Sequence, residues 1–251
     1  MKVIGKLSRI MPYMLFGREV PALIDLVSVS KVYKTGGSPA VSDVNLHVER
    51  GEFIFLVGPS GAGKTTLIKL ISREELPSSG RILFLGHDTS AYKPQELLRH
   101  RRRMGLVFQD FRLLKSKTIY ENVALALEVT GRPPQEIKAK VPAILARVGL
   151  AGKEEAFPNE LSGGEQQRAG IARAIVRDPL LILADEPTGN VDRETAWGLM
   201  ELFEDINRGG TTVIIATHAW DLVDRMKKRV ITLDKGRVIR DELQGSYSHA
   251  H

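Results

Sequence analysis

The side chains with the most concentrated chemistry in this chain stand in one nine-residue run, GPSGAGKTT, at positions 58–66. Gly58, Gly61 and Gly63 carry no Cβ, so the backbone there can bend tightly and turn its N–H groups inward. Ser60 and Ala62 are the small residues between them. Lys64 brings an ammonium, and Thr65 and Thr66 bring hydroxyls. The pattern G-x-x-x-x-G-K-[ST] makes a polyphosphate-sized anion site when a strand precedes it and a helix follows. Phe53–Val57 reads as a buried strand and Leu67–Ile71 as the body of a helix, so the context is met. Lys64 would reach the β- and γ-phosphates of a nucleotide, and the Thr65 hydroxyl would ligate Mg²⁺. An ordinary glycine-rich turn between strand and helix is the competing reading, and the flanking elements count against it.

Two further stretches could act on the same ligand. The apolar run Leu180–Ala184 reads as a buried strand ending in Asp185 and Glu186. Adjacent acids there are costly to desolvate unless they are used. Asp185 is expected to hold Mg²⁺ through water, and Glu186 to polarise an attacking water. Leu161-Ser162-Gly163-Gly164-Glu165-Gln166-Gln167-Arg168 precedes an apolar helix around Ile171, Ile175 and Val176. Ser162 and Glu165 have capping-box spacing. Two glycines in a first helical turn are poor for capping alone, since each costs about 1 kcal/mol relative to alanine. They suit a backbone that something approaches closely, and an anion at the helix N-terminus is the natural candidate. Thr212–Ala216 is another strand, with His218 just beyond its end. Ligands of open α/β sheets gather at strand carboxyl ends. Tyr33, before the glycine turn at 35–37, is either a packing aromatic or a face on which adenine stacks.

The elements around these residues follow from composition and pattern. The chain has 251 residues, 43% hydrophobic and 26% charged, as in an ordinary globular protein. It has no cysteine, which excludes disulfides and thiolate metal sites. No apolar run approaches the roughly 20 residues of a membrane-spanning helix. The net charge of +6, with a cluster at Arg99, Arg101, Arg102 and Arg103, is read as solvated surface, and no nucleic-acid partner is expected. Residues 1–22 are basic and apolar, without a convincing signal-peptide cleavage site, and are expected to form a weakly ordered extension. Strands are expected from Leu23 to Tyr33, over Val44–Val48 and from Arg81 to Leu85, and a helix from Pro94. A short strand, Gly105–Phe108, delivers Gln109. Helices follow between Thr118 and Pro158, with a kink or interruption at Pro142, because an interior proline costs about 3 kcal/mol. A hairpin turns at Asp234-Lys235-Gly236, before a polar tail over residues 242–251.

Taken in order, Tyr33, GPSGAGKTT (58–66), Gln109, LSGGEQQR (161–168), LILADEP (181–187), Gly189-Asn190-Val191-Asp192 and His218 resemble the ATP-binding-cassette (ABC) ATPases over residues 23–241. The segments 108–114, 118–123 and 126–129 resemble, within that family, the bacterial cell-division ATPases of the FtsE type. A leader as long as residues 1–22 is a departure from them. The resemblance implies an α/β P-loop NTPase fold of ABC type: a mixed sheet core, an antiparallel β subdomain and an inserted helical subdomain at about 94–168. It implies ATP and Mg²⁺ as cofactors, with Tyr33 stacking adenine and residues 58–66 binding phosphates. Thr65, Gln109 and Asp185 would serve the metal, Glu186 would be the catalytic carboxylate and His218 would contact the γ-phosphate. Ser162, Gly163 and Gly164 would close over the ATP of a second copy in a head-to-tail homodimer. A membrane partner of the FtsX type would dock beside the Gln109 loop, placing the chain on the cytoplasmic face of the membrane. The alternative is the nucleotide-binding subunit of a lipoprotein-releasing or macrolide-type exporter. An ABC ATPase acting on nucleic acid would usually carry a long coiled-coil insertion or two cassettes, and neither pattern is present.

Overall fold

The computed structural model describes residues 14–15, 18–19, 21–34 and 37–245. Most of the expected leader, part of the glycine turn after Tyr33 and the tail from residue 246 lie outside the described residues. The strands are β1 (Met14–Leu15), β2 (Arg18–Glu19), β3 (Ile24–Lys31), β4 (Val41–Val48), β5 (Phe53–Val57), β6 (Ser79–Phe84), β7 (His87–Asp88), β8 (Met104–Phe108), β9 (Leu181–Asp185), β10 (Thr212–Ala216), β11 (Arg229–Asp234) and β12 (Arg237–Glu242). The helices are α1 (Lys64–Ile71), α2 (Pro94–Arg102), α3 (Ile119–Glu128), α4 (Pro134–Arg147), α5 (Gly163–Ile175), α6 (Arg193–Arg208) and α7 (Trp220–Met226).

A six-stranded sheet in the order β12-β11-β5-β10-β9-β8 forms the centre, parallel except for the antiparallel edge strand β12. Its inner strands are buried on both faces, so β5, and β10 from Val213 on, read as unbroken apolar runs. Alternation along each strand separates two cores. Phe53, Phe55 and Val57, with Ile182, Ala184, Val213 and Ile215, face a cluster that includes residues of α3 to α7. Ile54, Leu56, Leu181, Leu183, Ile214 and Ala216 face α1 and the antiparallel sheet β4-β3-β6-β7. Arg229 joins the two ends of the central sheet's hairpin side, donating to both oxygens of Glu52 at 3.0 and 2.8 Å and to Asp241 at 2.8 Å.

The region between the glycine loop and α5 departs from expectation at Pro142. Helix α4 runs unbroken through Pro142, so the expected interruption is absent. Its residues Ile137, Val141, Ile144 and Leu145 are buried in the same core as α3 and α5. That burial outweighs the local cost of the proline. The interval 94–168 contains the expected short strand, which is β8, an edge strand of the central sheet. On helix α2 the buried His100 packs on Phe84, and its Nε2–H donates to the Ile71 carbonyl at 3.1 Å. Thr118 and Glu121 form the expected capping box on α3, with bonds of 3.2 and 2.8 Å. Fully buried Asn122 then pins the preceding loop, bonding to backbone groups of Leu114, Lys117 and Thr118.

Candidate active site

The glycine loop leaves β5 and enters α1, and close neighbours dictate its glycines. A Cβ on Gly58 (φ 143°) would lie 2.1 Å from the Leu233 carbonyl oxygen, and one on Gly63 (φ 106°) 2.4 Å from that of Ala40. The β11–β12 turn supports the loop from below. Lys235 and Gly236 both take positive φ, as a two-residue hairpin turn demands, and the Gly236 N–H donates to the Ala62 carbonyl at 3.0 Å. Helix α1 starts at Gly63 without any side-chain cap. The buried Lys64 ammonium folds back on the loop, donating to the carbonyls of Gly58 at 2.8 Å and Pro59 at 3.2 Å. A cleft of about 600 Å³ opens above, lined by Ala40, residues 60–66, Gln109, Glu186 and His218.

Parallel pairing brings the acids to this cleft. In the β9–β10 register Asp185 lies opposite Ala216, which sets Glu186 beside Thr217 and His218. Glu186 sits at φ 49°, a left-handed conformation that costs free energy in a non-glycine residue, and its N–H donates to the Ala216 carbonyl at 2.9 Å. One carboxylate oxygen is 4.0 Å from the Lys64 ammonium. The other is 2.8 Å from His218 Nδ1 and accepts from the His218 N–H at 3.3 Å. Burial pushes the Asp185 carboxyl above the usual carboxylate range, against the Thr65 hydroxyl bonded to it. The Asp185 Oδ1 is buried without a hydrogen-bond partner. Such an orphaned acceptor beside a hydroxyl fits a divalent cation or its water.

Gln109 is exposed at the end of β8 and is tied to Asn190 in both directions: its Nε2 donates to Asn190 Oδ1 at 3.3 Å, and Asn190 Nδ2 donates to its carbonyl at 2.9 Å. Sequence reasoning misses this pairing, as it misses Ala40, whose small side chain gives no chemical signal. Tyr33, Ser162, Gly163 and Gly164 do not line the cleft. Tyr33 is half-buried with the Lys31 ammonium 5.1 Å from its ring centre. Ser162 and Glu165 form a complete capping box, with bonds of 3.3 and 2.9 Å. Gly164 has a reason inside the chain as well, because a Cβ there would meet Thr195 Cγ2 at 2.4 Å. The close approach expected of an anion is, in the single chain, made by the first turn of α6.

A cradle, lysine and Glu–His pair at the carboxyl edge of a parallel sheet, flanked by an antiparallel sheet and packed helices, make up the architecture of an ATP-binding cassette. Residues 41–189 match the model of the ABC transporter family. The chain is 49% identical to the cell division ATP-binding protein FtsE of Mycobacterium tuberculosis, over 90% of this chain and 98% of the relative. It is 48% identical to FtsE of Escherichia coli K12, over 86% and 97% respectively. A dimeric ATP-binding cassette in a post-hydrolysis state, bound to ADP and Pi, superposes with a TM-score of 0.81 at 34% identity, covering 89% of this chain and all of that one. The chain therefore belongs to the ABC transporter family and, within it, to the FtsE family of cell-division ATP-binding proteins. These relatives favour the cell-division reading over the exporter.

Proposed function

We propose that this chain is the ATP-binding and ATP-hydrolysing subunit of a complex with an integral membrane protein of the FtsX type. In it, ATP-driven closure of a homodimer transmits motion that regulates cell-wall hydrolysis during division. One observation carries the catalytic part: Glu186 stands in the P-loop cleft between the Lys64 ammonium at 4.0 Å and His218 Nδ1 at 2.8 Å. A carboxylate so placed can accept a proton from water attacking a phosphate held by residues 60–66, while His218 orients it. Lys64 exchanges its carbonyl partners for phosphate oxygens when a nucleotide enters. Thr65, Asp185 and Gln109 would hold Mg²⁺, which supplies charge neutralisation on the phosphates. Tyr33 would stack the adenine. Ser162, Gly163 and Gly164, which do not line the chain's own cleft, suit the nucleotide of a second copy.

Among the described residues no helix is long and apolar enough to cross a membrane, so membrane placement would come through the partner. A groove of about 520 Å³ between β8, α3 and α5 is the docking surface proposed for it, beside the Gln109 loop. The test of the catalytic assignment is Glu186→Gln. It should bind ATP, hydrolyse it at least 100-fold more slowly and accumulate as a dimer on gel filtration. Normal turnover by this variant would remove Glu186 from its role. Mixed Lys64→Ala and Ser162→Ala subunits should recover one composite site, whereas hydrolysis by isolated monomers would contradict the sandwich.

A further inference from the structure

The loop that carries Gln109 is held in a costly conformation, and the group holding it lies in the groove. Phe111 and Arg112 both take left-handed backbone angles, φ 58° and 48°. Two successive non-glycine residues in that region persist only when their surroundings fix them. Here the fixing comes from helix α5: Arg173 Nη1 donates to the Arg112 carbonyl at 2.6 Å, and Nη2 to the Phe111 carbonyl at 3.0 Å. The same guanidinium lines the groove, with Arg101 and Arg177 of like charge and the apolar Leu125 and Val129. Glu74 also lines it, yet neither Arg173 nor Arg177 is ion-paired to a carboxylate among the described residues. Burial lowers both guanidinium pKa values, with a second arginine adding to the effect in each case. Arg173 is thus a charged side chain that, among the described residues, bonds to two carbonyls of a strained loop and has one flank open to whatever occupies the groove.

We propose that Arg173 is a positioning residue that couples the groove to Gln109. While its fork grips the carbonyls of Phe111 and Arg112, the turn at 109–110 is fixed and Gln109 stays registered on Asn190 at the cleft. A segment that enters the groove and draws the guanidinium away, most effectively through a carboxylate, releases the strain and lets Gln109 leave that register. A segment that packs over Arg173 without pairing it reinforces the grip. The proposal rests on the reading that Gln109 serves the nucleotide.

The experiment measures steady-state ATP hydrolysis by the full chain and four variants. Arg173→Met should lower kcat on the order of tenfold with KM for ATP within about twofold, as expected for a misplaced group in the reacting site. Arg173→Lys, which can keep one carbonyl bond, should fall between. In a Gln109→Ala background, Arg173→Met should add nothing, because both changes remove one interaction. Additive losses would overturn the positioning role while leaving Gln109 in place. A Gln109→Ala variant with unchanged kcat would overturn the underlying reading, and this proposal with it. A purely structural role for Arg173 would lower the melting temperature and leave kcat per folded molecule intact. The groove arm uses the absence of cysteine: Val129→Cys gives a single thiol at an exposed groove position, and pyrene maleimide on it should change kcat at least about twofold in the Arg173 chain. The same label should have no such effect with Arg173→Met. Equal responses in the two backgrounds would show that the groove does not act through Arg173.

Discussion

Helices α1 and α5 both start at glycines, and they treat their free N–H groups in opposite ways. At α1 the N-terminal residue is Gly63, left-handed and without a side-chain acceptor. The donors of that turn are left for a ligand, with the Lys64 cation beside them. At α5 the Ser162 hydroxyl accepts from the Glu165 N–H and the Glu165 carboxylate accepts from the Ser162 N–H. Two donors of its first turn are thereby satisfied within the chain. In the proposed dimer most of the nucleotide affinity therefore resides in the α1 cradle of one chain. The α5 terminus can add only what its hydroxyl and the N–H groups of Gly163 and Gly164 supply once a second copy closes.

The largest effect expected from this contrast is on the α1 side. Lys64→Met removes the cation of the cradle and should weaken ATP binding by the dissociated chain on the order of 10–100-fold, the range for a charge-assisted hydrogen bond. Ser162→Ala should leave that affinity within about twofold while lowering hydrolysis in the dimer. Titration calorimetry on both variants decides it. If Ser162→Ala weakens ATP binding by the monomer as much as Lys64→Met does, the division of labour is wrong.

Stability should separate the two termini next. Gly58→Ala places a methyl against a backbone oxygen that cannot rotate away, and should cost about 3 kcal/mol or more. Gly164→Ala meets the end of the Thr195 side chain instead, whose hydroxyl is held by Asp192 at 2.5 Å, and should cost about 1–3 kcal/mol. Ser162→Ala loses one capping bond, worth about 1 kcal/mol. Urea unfolding of the three variants tests the order, and a Gly164→Ala chain less stable than Gly58→Ala would reverse it.

What was legible in the sequence follows the range of the interactions. The strand Phe53–Val57, the glycine loop and α1 are written in consecutive residues, as is the Thr118–Glu121 box that starts α3. The Lys235-Gly236 turn is equally local. The reason Gly58 must be glycine is not local, because its neighbour is the carbonyl of Leu233 on another strand. Gly164 against Thr195 and Gln109 against Asn190 are likewise made by the tertiary fold. The interruption read at Pro142 fails for the same reason: its local cost is visible in the sequence, whereas the packing of α4 on α3 and α5 that offsets it is not.

Asp185 carries the contrast into titration. It lies beside the first turn of α1 through Thr65, and burial raises its pKa. A raised folded-state value means stability that is present below the unfolded pKa and lost as pH rises through the folded one. Above its folded-state pKa the ionised Asp185 therefore costs stability. Asp185→Asn should raise the melting temperature of the nucleotide-free chain at pH 7.5 by a few degrees, and by less at pH 4, while Mg²⁺-dependent hydrolysis collapses. A lower melting temperature at pH 7.5 would mean that the ionised carboxylate is stabilising.

Glu165, at the first turn of α5, should behave in the opposite sense and by a smaller amount. Its pKa is lowered by the Ser162 N–H bond first, then by the Ser162 hydroxyl, with Lys153 3.3 Å away adding to the effect. A depressed folded-state value gives stability present above the unfolded pKa of about 4.5 and lost as pH falls through the folded one. Protonation removes the acceptor charge that closes the box, so the start of α5 should loosen in acid while α1, which has no side-chain cap to protonate, should not. Glu165→Gln keeps an amide oxygen to accept from Ser162 and removes the titrating group, at a cost of a few tenths of a kcal/mol near neutrality. Amide hydrogen exchange between pH 3.5 and 6 is the measurement, after correction for the intrinsic rate. Protection at Ser162, Glu165 and Gln166 should fall with pH in the native chain and stay level in Glu165→Gln, with α1 level in both. A matching acid response at α1 would mean that the two helix termini are not distinguished by their caps.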